Sequence, residues 1–366
     1  MGTKTVSDLD KELKIVRTQL DELDERLVRL INDRARLVQR IGSAKAQAGV
    51  RVYVPDRERQ VLDRIRKLNT GPLDDRAVHL IYRELMSASL VLEKSPRIAI
   101  LGPEGSYSHL AGRRKFGLSV EFEPVATIAA VFDEVERRRA EYGLVPVENS
   151  IAGGIGETMD ALIERDVIVC GEMNLAVHHH LLGLGSIDSI QHVYSKPEVF
   201  AQCGRWLSAT GLIGKTVPVS SSSVAAEKAR DEPGGAAIAS ELAAELFELN
   251  RIAEYVEDQS GNVTRFLILG TTPTKPTAAD KTTIVFGVGH QPGQLVVVLD
   301  VLRQAGLNMT RIESRPDKRQ KWQYFFLVDF EGHQDQPLVA DALRDVEKRC
   351  SFLKILGSYP RADEVL

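Results

Sequence analysis

A heptad seam over residues 9–48 limits what the N-terminal part of this chain can become. Leu9, Leu13, Val16, Leu20, Leu23, Leu27, Leu30, Arg34, Leu37, Ile41, Ala44 and Ala48 recur at alternating steps of four and three. That spacing keeps one stripe of a helix turned towards a partner. A helix over 5–48 would be on the order of 65 Å long at about 1.5 Å per residue, longer than a small domain is wide. Its seam therefore needs a second chain to cover it. Arg34 is the one charge in the stripe, and a guanidinium among leucines is costly unless an anion meets it. A second helix is expected from Pro55 in VPDRERQVLDRIRKL, and NTGPLDD separates it from a third running to about Lys94. Residues 1–95 thus read as an all-helical domain.

The period then changes. Over 96–272, apolar runs such as RIAILG, YGLVPVE, VIVCGEMNLAV, HVYS, AAIAS and RFLILG alternate with helical patterns. This predicts an α/β domain with a mostly parallel sheet, whose sites form where strands end. TTPTKPTAAD, residues 271–280, is a Pro/Thr linker into a third region, 273–366. The order β, α, β, β, α there suggests a small α+β, ferredoxin-like module. A net charge of −4 gives no reason to expect nucleic acid or an acidic membrane surface. No segment approaches the roughly 20 apolar residues of a membrane helix, and the first residues lack the apolar core of a signal peptide, so a cytoplasmic protein is expected. Cys170, Cys203 and Cys350 lack metal-type spacing and read as reduced thiols.

The helical region resembles the chorismate mutase domain of bacterial P-proteins in VRTQLDELDERLVRLINDRARLVQRIGSAK, PDRERQVL and RELMSASLVLE. The resemblance implies an intertwined dimer in which Arg17 of one chain and Arg34 of the other hold the carboxylates of chorismate. Lys45 and Glu93 would face its ether oxygen, Arg57 and Glu58 would lie near the ring, and Ser89 would cap a carboxylate. Those residue types suit a unimolecular rearrangement, which needs a frozen conformer and stabilised charge and no nucleophile. Val54 stands where some members carry an acidic residue. Glu93 stands where others have Gln, and it would have to be protonated to donate a hydrogen bond, so mutase activity should fall as pH rises.

The middle region resembles prephenate dehydratase through AILGPEGSYSHLA, LVPVENSIAGG, HHLLG, YSKPEVFAQC, VSSSSVAAEK and NVTRFLILG. It implies a two-lobed domain resembling periplasmic-binding-protein-like folds. In it Thr264 would lie near the leaving hydroxyl and Arg265 would bind a carboxylate. Asn149, Ser150, Ser195 and Gln202 would orient the substrate, with Ser106 and Ser222 where the family usually has Thr. His179 matches the family His and would be able to supply a proton, and Lys196 replaces a usual His. A Thr hydroxyl is a poor acid, so Thr264 is expected as a hydrogen-bond donor or relay.

The last region resembles an ACT domain through PGQLVVVLDVL, GLNMTRIESRP and WQYFFLVDFEGH. By that resemblance Gly293, Gln294 and Leu295 would hold an amino-acid effector, while Glu313, Ser314, Arg315 and Pro316 belong to the same site, with Glu313 and Arg315 linking two chains. Together the resemblances imply a bifunctional enzyme that makes prephenate and then phenylpyruvate, is inhibited by L-phenylalanine, and needs no cofactor or metal. A homodimer or higher oligomer is expected. The rivals are a dehydratase whose helices only dimerise, and an amino-acid sensor without catalysis.

Overall fold

The computed structural model describes residues 6–48, 55–289, 291–317, 324–362 and 364–366. Its N-terminal region holds helices α1 (Val6–Ala48), α2 (Pro55–Leu68) and α3 (Asp75–Lys94). Pro55 opens α2 at a position where its missing N–H costs nothing. The Asp74 carboxylate caps α3 by accepting from the Ala77 N–H. The C-terminal half of α1 packs on α3, while most of the seam stands open: Leu20 is 52% and Leu30 63% exposed.

The middle region begins with β1 (Arg97–Leu101), α4 (Tyr107–Phe116), β2 (Glu121–Val125), α5 (Ile128–Glu136), β3 (Tyr142–Asn149), β4 (Gly153–Gly154), α6 (Gly156–Glu164) and β5 (Ile168–Ala176). The chain then crosses into a second lobe made of β6 (His180–Gly183), β7 (His192–Ser195), α7 (Pro197–Gln202), α8 (Gly204–Ala209), β8 (Thr216–Pro218), α9 (Ser222–Asp231), β9 (Gly235–Ala239), α10 (Glu241–Leu246) and β10 (Asn250–Ala253). It returns as β11 (Val263–Gly270). The sheets are ordered β2-β1-β3-β11-β5 and β10-β6-β9-β7-β8. The two-lobed α/β domain implied by the resemblance is present, and the mostly parallel sheet expected from the alternation takes the form of two mixed sheets. Strand β11 comes back antiparallel between β3 and β5 because the chain completes the second lobe before closing the first.

The last region contains β12 (Asp280–Gly287), α11 (Gln294–Gln304), β13 (Met309–Pro316), β14 (Tyr324–Glu331), α12 (Pro337–Glu347) and β15 (Phe352–Pro360), with sheet order β13-β14-β12-β15. This is the ferredoxin-like arrangement. The module does not hang free on its linker. Val285, Leu327, Leu356 and Tyr359 join a buried cluster with Phe132, Val145, Met159 and Leu162 of the first lobe. Beyond β15 the chain end pairs with β5, Leu366 N–H donating to the Asn174 carbonyl and Ala176 N–H to that of Leu366, both at 2.9 Å. Arg59 on α2 donates to the Arg361 carbonyl at 3.1 Å. The tail thus lies between the helical region and the α/β core.

Candidate functional site

In the helical region, the packing of α1 on α3 brings expected residues together in pairs. Arg34 donates to the Ser89 hydroxyl at 2.7 Å, and Ser89 in turn donates to the Leu85 carbonyl. About one turn further along α3 and three along α1, Lys45 Nζ lies 3.1 Å from Glu93 Oε2. Gly42 permits this close approach, since a Cβ there would stand 2.8 Å from Glu93 Cγ.

The other expected mutase residues lie elsewhere. Arg17 is exposed in the N-terminal half of α1. Arg57 is exposed and bonds Gln60 at 3.2 Å. Glu58 meets the α/β domain, where Lys115 donates to it at 3.0 Å. Helix α2 packs on α3 and on β15. Val54 falls outside the described residues.

In the α/β domain, a continuous polar chain spans the cleft between the lobes. Asn149, at the end of β3, accepts the Ile151 and Ala152 N–H groups on Oδ1 at 3.0 and 2.9 Å. Its Nδ2 donates to Asn262 Oδ1 at 2.7 Å and to Thr264 Oγ1 at 2.9 Å. Asn262 Nδ2 donates to Gln202 Oε1 at 3.3 Å, and the same oxygen lies 2.7 Å from His179 Nε2. Asn262 and Thr264 stand two residues apart at the start of β11, so they share a face. Thr264 is 9% exposed and His179 1%. Burial lowers the pKa of His179, against the raising effects of Gln202 and Glu257.

Two sequence expectations change here. Arg265 follows Thr264 in an extended strand and so points to the opposite face. Its guanidinium donates to Glu172 at 2.7 Å, to Asp329 at 2.5 Å and to the Tyr359 hydroxyl at 3.1 Å. Lys281 adds a contact to Glu172 at 3.1 Å. This buried, charge-balanced cluster joins β5, β11, β12, β14 and β15, and engages all three guanidinium nitrogens of Arg265 on the face opposite Thr264. His179 is the second case. Both of its ring nitrogens face protein atoms, Nε2 facing Gln202 and Nδ1 the Tyr107 hydroxyl at 2.6 Å. It has no N–H directed at a substrate and holds Gln202 instead.

The serines are mostly structural. Ser195 is fully buried and donates to the Ile238 carbonyl at 2.7 Å. Ser106 caps α4, accepting from His109 N–H and donating to the Leu101 carbonyl. Ser150 ties the loop to Gly261 and Val263. Ser222 opens α9, whose capping residue is Ser221. Lys196 stands exposed at the start of α7. Asn262, Tyr107, Glu172 and Asp329 were not singled out from the sequence. For Asn262 the signal was there, one alternation step from Thr264 in the same motif; Glu172 and Asp329 are distant acidic residues that only the fold brings to Arg265.

In the C-terminal module, Gly293 adopts φ +83° at the start of α11, a conformation that suits glycine. A groove of about 390 Å³ lies there, lined by Gly293, Gln294, Leu295, Tyr324 and Phe326 among others. Glu313, Ser314, Arg315 and Pro316 lie on the edge strand β13, where Ser314 and Pro316 pair with Phe326 and Tyr324 of that groove. Ser314 and Pro316 are exposed. Arg315 donates twice to Asp160 of α6, at 2.7 and 2.8 Å, and Arg311 pairs with Glu313 and with Glu148. Arg311 and Arg315 thus reach the α/β domain of their own chain, with Glu313 paired to Arg311.

Paired cationic groups on a helical domain, a two-lobed polar cleft and a ferredoxin-like module packed on it define a fused enzyme with a regulatory-type domain. Family models match in the same order: chorismate mutase type II over residues 16–94, prephenate dehydratase over 98–274 and the ACT domain over 282–348. The chain belongs to the bifunctional chorismate mutase/prephenate dehydratase family. It is 42% identical to the enzyme of that name from Aquifex aeolicus, over 96% of this chain and 99% of the relative. It is 41% identical to that from Pseudomonas aeruginosa, over 96% and 98%. A solved structure of prephenate dehydratase from Arthrobacter aurescens in complex with L-Phe is similar at 29% identity and a TM-score of 0.68, covering 73% of this chain and 90% of that one.

Proposed function

We propose that the two activities are consecutive steps of L-phenylalanine biosynthesis in the cytoplasm, and that L-phenylalanine inhibits them through the C-terminal module. Chorismate would be held by Arg34, with Ser89 orienting it, and Lys45 would stabilise charge developing on the ether oxygen. Arg17 lies 17 residues before Arg34 on one helix, a rise of about 25 Å. It can complete that pocket only from a second chain, so the working unit is a homodimer or a higher oligomer built on the open α1 seam.

In the cleft, prephenate loses carbon dioxide and its ring hydroxyl and becomes aromatic. The observation that carries this reading is the fixed direction of the Asn149 amide. Backbone N–H groups can only donate, so Asn149 presents Oδ1 to them and Nδ2 to Thr264. Thr264 therefore accepts from Asn149 and keeps its own O–H to donate to the departing hydroxyl. Burial of the site favours loss of the charged carboxylate by stripping its solvent. Lys196 supplies positive charge near the anionic substrate. In the module, the groove beside Gly293 takes the effector, its backbone meeting the polar end and Tyr324 and Phe326 the ring.

Feeding the full chain chorismate and following prephenate and phenylpyruvate, with and without L-phenylalanine, tests the proposal. Both products should form in order, and phenylalanine should slow the formation of both. A protein that bound phenylalanine and formed neither product would be a sensor.

A further inference from the structure

The polar chain that ends at Thr264 begins at Tyr107, a residue with no role so far. Its hydroxyl lies 2.6 Å from His179 Nδ1 and 2.9 Å from the His178 carbonyl. One hydrogen serves two acceptors, and the rest of the chain decides which receives it. The Ile151 and Ala152 N–H groups fix the Asn149 amide, whose Nδ2 fixes Asn262, whose Nδ2 then fixes Oε1 of Gln202 towards His179. An amide oxygen only accepts, so His179 Nε2 must carry a hydrogen. A neutral imidazole has one, and Nδ1 is left as an acceptor.

The surroundings keep the ring neutral and the phenol protonated. Burial acts first in both cases, lowering the pKa of His179 and raising that of Tyr107 well above 10.0. The charged or titratable groups facing the pair are Glu257, whose carboxylate accepts the His179 backbone N–H and pairs with His178, and Cys203 at the end of α7. Glu257 favours the charged imidazole and His178 opposes it; neither offers Nδ1 a hydrogen.

We infer that Tyr107 is a positioning residue for the dehydratase reaction: by donating to His179 Nδ1 it seats the ring whose Nε2–H holds Gln202, the acceptor that also anchors Asn262 beside Asn149 and Thr264. The hydrogen bonds converge on Gln202 Oε1, from His179 on one side and from Asn262 on the other. Tyr107 lies on α4 and Gln202 on α7, so the chain holds only when both lobes are in place. The assignment rests on the dehydratase reading of this cleft.

The test uses the full-length protein. In wild type labelled with ¹⁵N-histidine, the His179 ring should show a protonated Nε2 and a bare Nδ1 at neutral pH; an Nδ1–H ring would overturn the assignment whatever the kinetics. Tyr107→Phe removes only the hydroxyl. It should lower dehydratase kcat by about tenfold while KM stays within about twofold, because an interaction that orients the reacting groups has been lost and not uniform binding. The bare Nδ1 should then shift towards the resonance of an imidazole nitrogen with no donor, and the mutase rate on the same sample should be unchanged. Unchanged dehydratase kcat, or a loss matched in the mutase rate, counts against Tyr107. Absence of dehydratase turnover in wild type is a failure of the dehydratase reading, and the ring tautomer then decides the Tyr107 assignment by itself.

Discussion

Arg265 is a buried cation whose partners come from both the dehydratase domain and the C-terminal module, and its energetics follow from that. Glu172 and Asp329 are each 1% exposed at the side chain. Removing one of them leaves a charge without its counterion in a medium that solvates it poorly. Asp329→Ala should therefore cost about 3–5 kcal/mol in denaturant unfolding, whereas a loss under about 1 kcal/mol would show that Glu172 and Tyr359 hold Arg265 without it. Histidines give a second prediction. His109, His179 and His180 all lie below the ordinary 6.5, with burial the first cause. The unfolded chain takes up these protons first, so the stability they hold is complete above 6.5 and is lost as pH falls below it. Melting temperature should drop from about pH 7 to about pH 5, and less steeply in His179→Gln; equal slopes would contradict this. Thr264 and Arg265 come from one motif, and a motif read as a word gives no face. The alternation of an extended strand does, and it separates the two.

At the scale of elements, periodicity served where it was long. The seam of α1, the proline that opens α2 and the β-α-β-β-α order of the module all appear in the structure where the sequence placed them. Short strands escaped notice: β2 contains a proline and two acidic residues, and β6 is only His180–Gly183. Strand β15 makes an unusually close crossing over β5. A Cβ on Gly357, at φ +151°, would stand 2.1 Å from the Val169 carbonyl oxygen. Gly357→Ala should destabilise the chain by about 1–3 kcal/mol and loosen the module from the dehydratase domain, seen as faster proteolysis in residues 271–280. A variant as protease-resistant as wild type would mean that the crossing relaxes easily.

For the whole molecule, the three regions expected from the sequence share their interfaces more fully than a linker suggests. The module contributes Tyr359 to the first lobe's core, and Lys115 of the dehydratase domain holds Glu58 of the mutase domain. Such joins depend on residues far apart in the chain, and no local pattern announces them. What each region does was legible in its motifs; how the regions bear on one another was not. Thr264 is the group proposed to address the leaving hydroxyl in a chain that belongs to a family making its own substrate. The most direct measurement is a chorismate time course with Thr264→Val, which keeps the shape and removes the hydroxyl. Prephenate should accumulate at the wild-type rate while phenylpyruvate formation falls by at least about a hundredfold. Phenylpyruvate appearing at the wild-type rate would contradict the account.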